Sequence, residues 1–367
     1  MSAHGLFADT AVSSGAGEIQ GAAATAQTGA YAKALREIWR TATVPPESRQ
    51  LAVREVARYA TLAPSHCNTQ PWRIRTGDSE LLVHPDFTRR MPVADPDDEQ
   101  LFVALGCAAE NASVAARAFG LNGEVAYHPM GRGGLRVELR PLAHVAPSEL
   151  FYAIPRRQST RGIYDGRVPS IAELRLLERC AQQLDVHVGL VTERFRMDRI
   201  IELQRAAQSI QAADADHLRE LKCWTRFNER DALRQRDGLF TRCAGKPSMP
   251  RWLGAQLLDM GIGRLTDGGE NLKEIRSSGG FAVFFGAGHD PRHWTAVGRA
   301  CERFLLQATA LNIKVALVGE PIEVRATRVE LAMAAGADRC LPSLLVRFGY
   351  AAPSVRALRR GLEQVMV

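Results

Sequence analysis

Between residues 63 and 72 the chain reads Ala-Pro-Ser-His-Cys-Asn-Thr-Gln-Pro-Trp. Pro64 and Pro71 restrict the backbone, and Asn68 and Gln70 bring side-chain amides that each donate and accept hydrogen bonds. Such a pair suits a heteroaromatic ring edge on which N–H and C=O groups alternate. A polar turn anchored in the core by Trp72 is the plainer alternative for the same residues. A second group, Arg156-Arg157-Gln158-Ser159-Thr160-Arg161, places guanidiniums on either side of a hydroxyl. Arginine presents a planar fork of donors that matches phosphate oxygens. A third group, Arg356-Ala357-Leu358-Arg359-Arg360, lies near the C-terminus. Either arginine run taken alone reads equally well as a solvated charge run. Together, an amide-rich loop and two arginine groups fit a flavin nucleotide, with phosphate at one end and ring edge at the other.

Other chemistries find less support. Seven cysteines (Cys67, Cys107, Cys180, Cys223, Cys243, Cys301 and Cys340) form no Cys-x-x-Cys pair and no His/Cys metal spacing, and their odd number does not suggest a disulfide framework. Most read as small core residues. His66 has no Ser-His-Asp or His-Glu-x-x-His company and reads as an exposed loop histidine. Phe281 to Gly288 begins like a dinucleotide fingerprint, but Pro291 stands at the third glycine position. The formal net charge is +7, yet basic residues are interleaved with acids and form no stripe with aromatic residues, so nucleic acid is not an expected partner. No apolar run approaches the roughly 20 residues that cross a bilayer. Residues 1–30 are small and polar and lack a basic start and an apolar h-region. They read as a flexible tail, and the expected location is cytoplasmic.

The elements that must position these groups are arranged as a repeat. Ala104 to Leu121 and Ala296 to Ile313 match without a gap at six of eighteen positions, among them Gly106/Gly298 and Glu110/Glu302. Both are helical by period. Each is preceded by a helix, Leu51 to Tyr59 and Ile171 to Leu184, the latter opening on the capping box Ser170-x-x-Glu173. Each is followed by strands: Glu124 to Tyr127 and Leu135 to Leu139 in the first copy, Val315 to Val318 and Leu344 to Phe348 in the second. The pattern predicts an α+β fold, internally duplicated, with two mixed sheets packed through central helices. Half 1 covers 31–146 and half 2 covers 147–367. An insertion at about 194–280 has no counterpart in half 1; it starts as a charged helix, Arg199 to Leu221, and continues glycine-rich. Insertions of this length are often lids or binding loops.

At these residues the sequence resembles the FMN-dependent nitroreductase family. The pattern Pro-Ser-x-x-Asn-x-Gln-Pro-Trp, a hallmark of that family, is intact at Pro64, Ser65, Asn68, Gln70, Pro71 and Trp72. The family's Arg-x-Ser-x-Arg/Lys pattern is matched by Arg157, Ser159 and Arg161, and the resemblance implies that these hold the FMN phosphate and pyrimidine edge. Arg359 and Arg360, followed by Leu362, Glu363 and Val365, look like the family's C-terminal basic pair and ending. Pro321-Ile322-Glu323 is similar to the backbone segment that faces flavin N5 in some members. The resemblance runs from about Leu51 to Val365, without the insertion. One departure matters: the Pro-Trp loop lies in the first half and the Arg motif opens the second, the reverse of the usual order. Each half keeps what the other lacks, which looks like the Acg-type branch, with two nitroreductase-like halves in one chain and one site between them.

The resemblance implies hydride transfer from NAD(P)H through FMN to a nitroaromatic or quinone-like acceptor. Flavin N5 then does the bond making, so no protein residue is assigned a catalytic role and no metal is expected. It also implies that the insertion closes over the pocket. A pseudo-dimer of this kind is expected to be a monomer. Two other readings use the same residues: a non-catalytic flavin-binding or sequestering protein with a covered pocket, and a relic that binds no flavin.

Overall fold

The computed structural model describes residues 29–42, 46–129, 131–143, 146–260, 272–337 and 340–367. The expected tail lies outside the described residues up to position 28, but its last two positions belong to a helix. That helix, α1 (Gly29–Ile38), lays Tyr31 and Ala34 against the protein. Next, α2 (Arg49–Ala60) is capped by Ser48, whose side chain accepts from the Leu51 amide. β1 (Trp72–Thr76) and β2 (Glu80–Pro85) follow, then the central helix α3 (Glu99–Ala118), β3 (Leu121–Tyr127) and β4 (Leu135–Pro141). The hydrogen-bonded order of this sheet is β1-β2-β4-β3.

A short helix, α4 (Glu149–Ala153), leads to α5 (Ile171–Ala181), where both bonds of the Ser170/Glu173 capping box form. β5 (Val186–Val191) precedes the insertion. The charged helix expected there is two helices, α6 (Arg194–Ala213) and α7 (Ala215–Trp224), because Asp214 ends one and caps the other. The two-residue strands β6 (Thr225–Arg226) and β7 (Leu239–Phe240) pair in parallel around α8 (Glu229–Gln235), and α9 (Arg251–Asp259) follows. Gly261, Gly263, Gly268 and Gly269 of the insertion lie outside the described residues. The second sheet is built from β5, β8 (Gly280–Gly286), β9 (Lys314–Leu317) and β10 (Pro342–Gly349), with α10 (Pro291–Ala310), α11 (Glu320–Glu323) and α12 (Arg325–Ala334) between strands, and α13 (Leu362–Val365) after them. Its order is β5-β8-β10-β9. With α3 aligned to α10, this is the first sheet's order again.

Both four-stranded sheets are antiparallel throughout, where mixed sheets were expected. Apart from the β6/β7 pair, parallel pairing among the described residues is confined to single bridges at the edges of these sheets, Ile74 with Met366 and Ser159 with Val315. Because β8 and its neighbours are antiparallel, the strand-glycine-helix passage into α10 is no dinucleotide βαβ unit.

The two central helices cross where the repeat places its paired glycines. A Cβ on Gly298 would lie 2.0 Å from the Val103 carbonyl oxygen, and one on Gly106 would lie 2.1 Å from that of Thr295. Only glycine permits this approach. Sulfur follows, with Cys107 donating to the Gly298 carbonyl at 3.2 Å. Burying both helices on several sides requires the Ala-rich surface that the sequence carries. The core is continuous across the seam: Val56, Trp72, Leu105 and Ala108 share it with Val297, Phe304 and Phe348. Charge also spans it. Buried Glu110 accepts from Arg299 and Arg303 of α10, both at 2.9 Å, and Glu99 accepts from Arg328 of α12 at 2.6 Å. Among the cysteines, only Cys107 and Cys301 are fully buried, fewer than the composition suggested.

Candidate functional site

The loop after α2 is the hub. It makes a tight 3-10 turn at His66–Asn68, and Cys67, Asn68 and Gln70 have φ of 46°, 54° and 53°. Non-glycine residues in the left-handed region are uncommon and signal a conformation fixed by its surroundings. Here the Ser65 hydroxyl accepts from the Gln70 amide at 2.8 Å, and both side-chain amides are buried. Pro64 is buried behind them.

Four separate segments converge on this loop. From the segment after α4, Arg157 donates to the Leu62 carbonyl at 3.3 Å. From the C-terminal segment, Arg359 donates to the Ala63 carbonyl at 3.1 Å and to Asn68 Oδ1 at 2.9 Å. Arg360 binds Gln70 twice, its amide to Oε1 at 2.7 Å and its guanidinium to the carbonyl at 3.0 Å. From α11, Glu323 meets His66 Nε2 at 3.1 Å. The insertion supplies the fourth contact: Gln70 Nε2 donates to the Arg236 carbonyl at 2.9 Å, and Asn68 Nδ2 to that of Gly238 at 3.1 Å.

Beside the hub is a cationic cluster of two buried arginines, Arg157 and Arg359, and half-buried Arg356. Arg157 lies close enough to disfavour the charge of Arg356, and both lie close enough to disfavour that of Arg359. Burial first, and then Arg157, lowers Arg356 to about 10; burial, Arg157 and Arg356 lower Arg359 to about 9. Nε and Nη1 of Arg157 and Nε of Arg356 have no hydrogen-bond partner. The carboxylate beside them is Glu302, 3.6 Å from Arg157 Nε and fully buried. Burial pushes Glu302 up to about 7 against the pull of Arg157. The buried Asn111 side chain stands beside Glu302 and lowers its pKa slightly, but makes no close hydrogen bond to it. Buried polar groups are seldom left unpaired, and several of those without a partner are concentrated in this cluster. Helix α1 and Trp39 just after it hold one side of it: Tyr31 donates to the Arg356 carbonyl at 2.7 Å, the Trp39 indole donates to that of Ala357 at 3.1 Å, and the Arg356 guanidinium lies 4.2 Å from the Trp39 ring centroid.

The site residues read from the sequence are thus mostly gathered. Ser65, Asn68, Gln70, Arg157, Arg359, Arg360 and Glu323 meet at or around the loop. Pro321 and Ile322 are buried in α11 behind Glu323. The two arginines expected to flank a phosphate are separated in kind: Arg157 is 2% exposed, whereas Arg161 is exposed. Half-buried Ser159 bridges to Val315, and Thr160 donates to the Val315 carbonyl at 2.8 Å, which pins this stretch along the edge of β9. His66 is not the exposed histidine the loop suggested. Burial lowers its pKa, but Cys67 and Glu323 together raise it well above the ordinary value; Glu323 is held below its own, because His66 outweighs the cost of burial. Glu323 also accepts from Gln211 of α6 at 2.6 Å. Arg356 and the partnership of His66 with Glu323 escaped the sequence reading. The first stood in a noted arginine run, while the second joins residues 257 positions apart and left no local signal.

Known proteins resemble the chain as follows. No family model matches it. Two provisionally named NAD(P)H nitroreductases, from two strains of Mycobacterium tuberculosis, are each 28% identical over 334 residues, covering 86% of this chain and 90% of theirs. Among solved structures, a provisionally named nitroreductase from Anabaena variabilis aligns with 87% of this chain and 91% of its own at 10% identity and a TM-score of 0.47. An FMN-dependent nitroreductase from Mycobacterium smegmatis, solved with NADPH, aligns with 59% of this chain and 96% of its own at 18% identity and a TM-score of 0.37. The Pro-Ser-x-x-Asn-x-Gln-Pro-Trp loop is intact, and over most of its length the chain is similar in sequence to these two nitroreductases.

Proposed function

We propose that the chain is an FMN-dependent NAD(P)H oxidoreductase that reduces a nitroaromatic or quinone-like acceptor. The observation that carries this reading is the cluster of buried Arg157 and Arg359 with half-buried Arg356, in which Arg157 and Arg356 keep unpartnered donors. Unpaired buried charge is costly, and an anion entering a site from which water is excluded is attracted far more strongly than one at the surface. A phosphate suits those donors. Arg157 and Arg359 would hold it with help from Ser159, and Arg161 at the exposed rim would face the pyrimidine edge and offset negative charge on the ring. Asn68, Gln70 and Arg360, with Pro64 and Ser65 shaping the loop, would orient the ring. The Pro321-Ile322-Glu323 segment would approach its reactive edge. Bound FMN supplies the hydride chemistry at N5, and the protein's part is position and charge. Glu302, with a pKa near neutrality, can lose its charge as a phosphate arrives, which eases the repulsion between them.

The arrangement also supports two fused nitroreductase-like halves, 31–146 and 147–367, with one site at their seam. The paired glycines at the helix crossing and the repeated strand order favour that division. A monomer would then do the work of a dimer. No helix among the described residues is long and apolar enough to cross a membrane, and a cytoplasmic location is part of the proposal.

One observation favours a second reading, a flavin-binding protein without turnover: the Asn68 and Gln70 amides are already engaged by the insertion. The visible spectrum of the purified protein, before and after adding FMN and then NADPH without oxygen, separates these readings. Flavin bands that bleach support the reductase. Bands that persist support the binding protein, and failure to bind FMN defeats both.

A further inference from the structure

We propose that the strap Arg236–Gly238 of the insertion is an internal competitor of the flavin ring, so that FMN binding requires release of this strap. The inference rests on the proposed FMN site. Its basis is a count of hydrogen-bonding capacity. An amide nitrogen has two hydrogens to give. Asn68 Nδ2 gives both, to the carbonyls of Gly238 at 3.1 Å and Leu358 at 3.3 Å. Gln70 Nε2 likewise gives both, to the carbonyls of Arg236 at 2.9 Å and Asn68 at 3.3 Å. Their oxygens accept from Arg359 and from the Arg360 amide. Neither side chain has a donor left for a ring edge.

The strap is built to hold this position. Arg236 and Gly238 both have positive φ, 55° and 72°, and the carbonyls of these two residues face the loop. The Gly238 amide returns a bond to the Asn68 carbonyl at 3.1 Å. Between them, Asp237 is clamped by two arginines. Arg226 binds Oδ1 at 2.7 Å, and Arg89 pairs with Oδ2. Arg89 also donates to the Thr69 carbonyl at 2.6 Å, tying strap and loop to one guanidinium. Exchanging the two strap carbonyls for ring carbonyls replaces like with like. The advantage of the closed state therefore resides mainly in the Asp237 clamp.

The test is FMN binding to the full chain, followed by flavin fluorescence, for the wild type, Asp237→Ala and Gly238→Ala. A Cβ at Gly238 would lie 2.5 Å from the Trp224 carbonyl oxygen and 2.8 Å from Cζ of Arg226, so it displaces the strap and presses on the clamp while leaving the Asp237 charge in place. Both variants are expected to bind FMN about tenfold more tightly, equal to about 1.4 kcal/mol. In the wild type, hydrogen exchange of the amides at 236–240 should quicken when FMN is added. Wild-type binding that is unchanged or weakened in the variants, with slower exchange at 236–240, would overturn the strap proposal and leave the FMN site standing. If no form binds FMN, the FMN reading itself fails. Should the variants not fold, the exchange measurement on the wild type decides alone.

Discussion

Glu302→Gln removes a buried charge while keeping the side chain's shape, and its effect follows from the structure. Glu302 is fully buried on central helix α10, with Arg157 3.6 Å away and the Asn111 side chain beside it. Its pKa rises from 4.5 to about 7, burial outweighing the attraction of Arg157. A carboxyl raised in the folded state binds a proton that the unfolded chain has already released. Stability therefore falls as pH climbs from about 4.5 to about 7, and the full cost stands above that. At about 1.4 kcal/mol per pH unit the cost is about 3 kcal/mol. Urea denaturation of both proteins across this range should show the Gln variant near parity at acid pH. It should gain through the window and level off about 3 kcal/mol more stable at pH 8. Taking the difference between the two curves cancels other titrating groups such as Asp95, which burial raises to about 6. A flat difference, or a variant that loses ground as pH rises, would refute the reasoning: the ionised pair with Arg157 would then be worth more than its burial costs.

Further outcomes follow from the same geometry. Arg157→Ala should strip FMN from the purified protein and weaken its binding by about one to two orders of magnitude, the worth of a charged hydrogen bond; Arg161→Ala, at an exposed residue, should weaken it less, and full flavin content in both would remove the phosphate assignment. Gly298→Val should cost about 3 kcal/mol or more in urea denaturation, because its Cβ would lie 2.0 Å from a backbone oxygen; an unchanged midpoint would mean the helices do not pack this closely. His66→Gln should destabilise the protein most between about pH 4.5 and 6.5, as judged by thermal melts over a pH series. In that window the contribution of Glu323, lost as pH falls through its lowered value, and that of His66, lost as pH rises through its raised value, are both present. An effect that does not vary with pH would show that the pair is not ionic.

The sequence by itself determined the parts whose signals are local. Helix caps such as Ser170/Glu173, the periodicity of α3 and α10, and the amide-rich loop all depend on neighbours within a few positions, and each formed near its expected place. The duplicated order of elements could be read because Gly106/Gly298 and Glu110/Glu302 kept their spacing, and the structure gives these residues a reason in the helix crossing and the charges beside it. Tertiary structure decided what each functional side chain faces. Arg157 and Arg161 look equivalent in sequence, yet one is sealed beside Glu302 and the other reaches solvent, since pinning Thr160 to β9 fixes which neighbours each can have. The pairing of His66 with Glu323, and of Asn68 and Gln70 with a strap some 170 residues away, depends on how distant segments pack. Burial and proximity set charge state and hydrogen-bond commitment, and neither quantity is written in the order of residues along the chain.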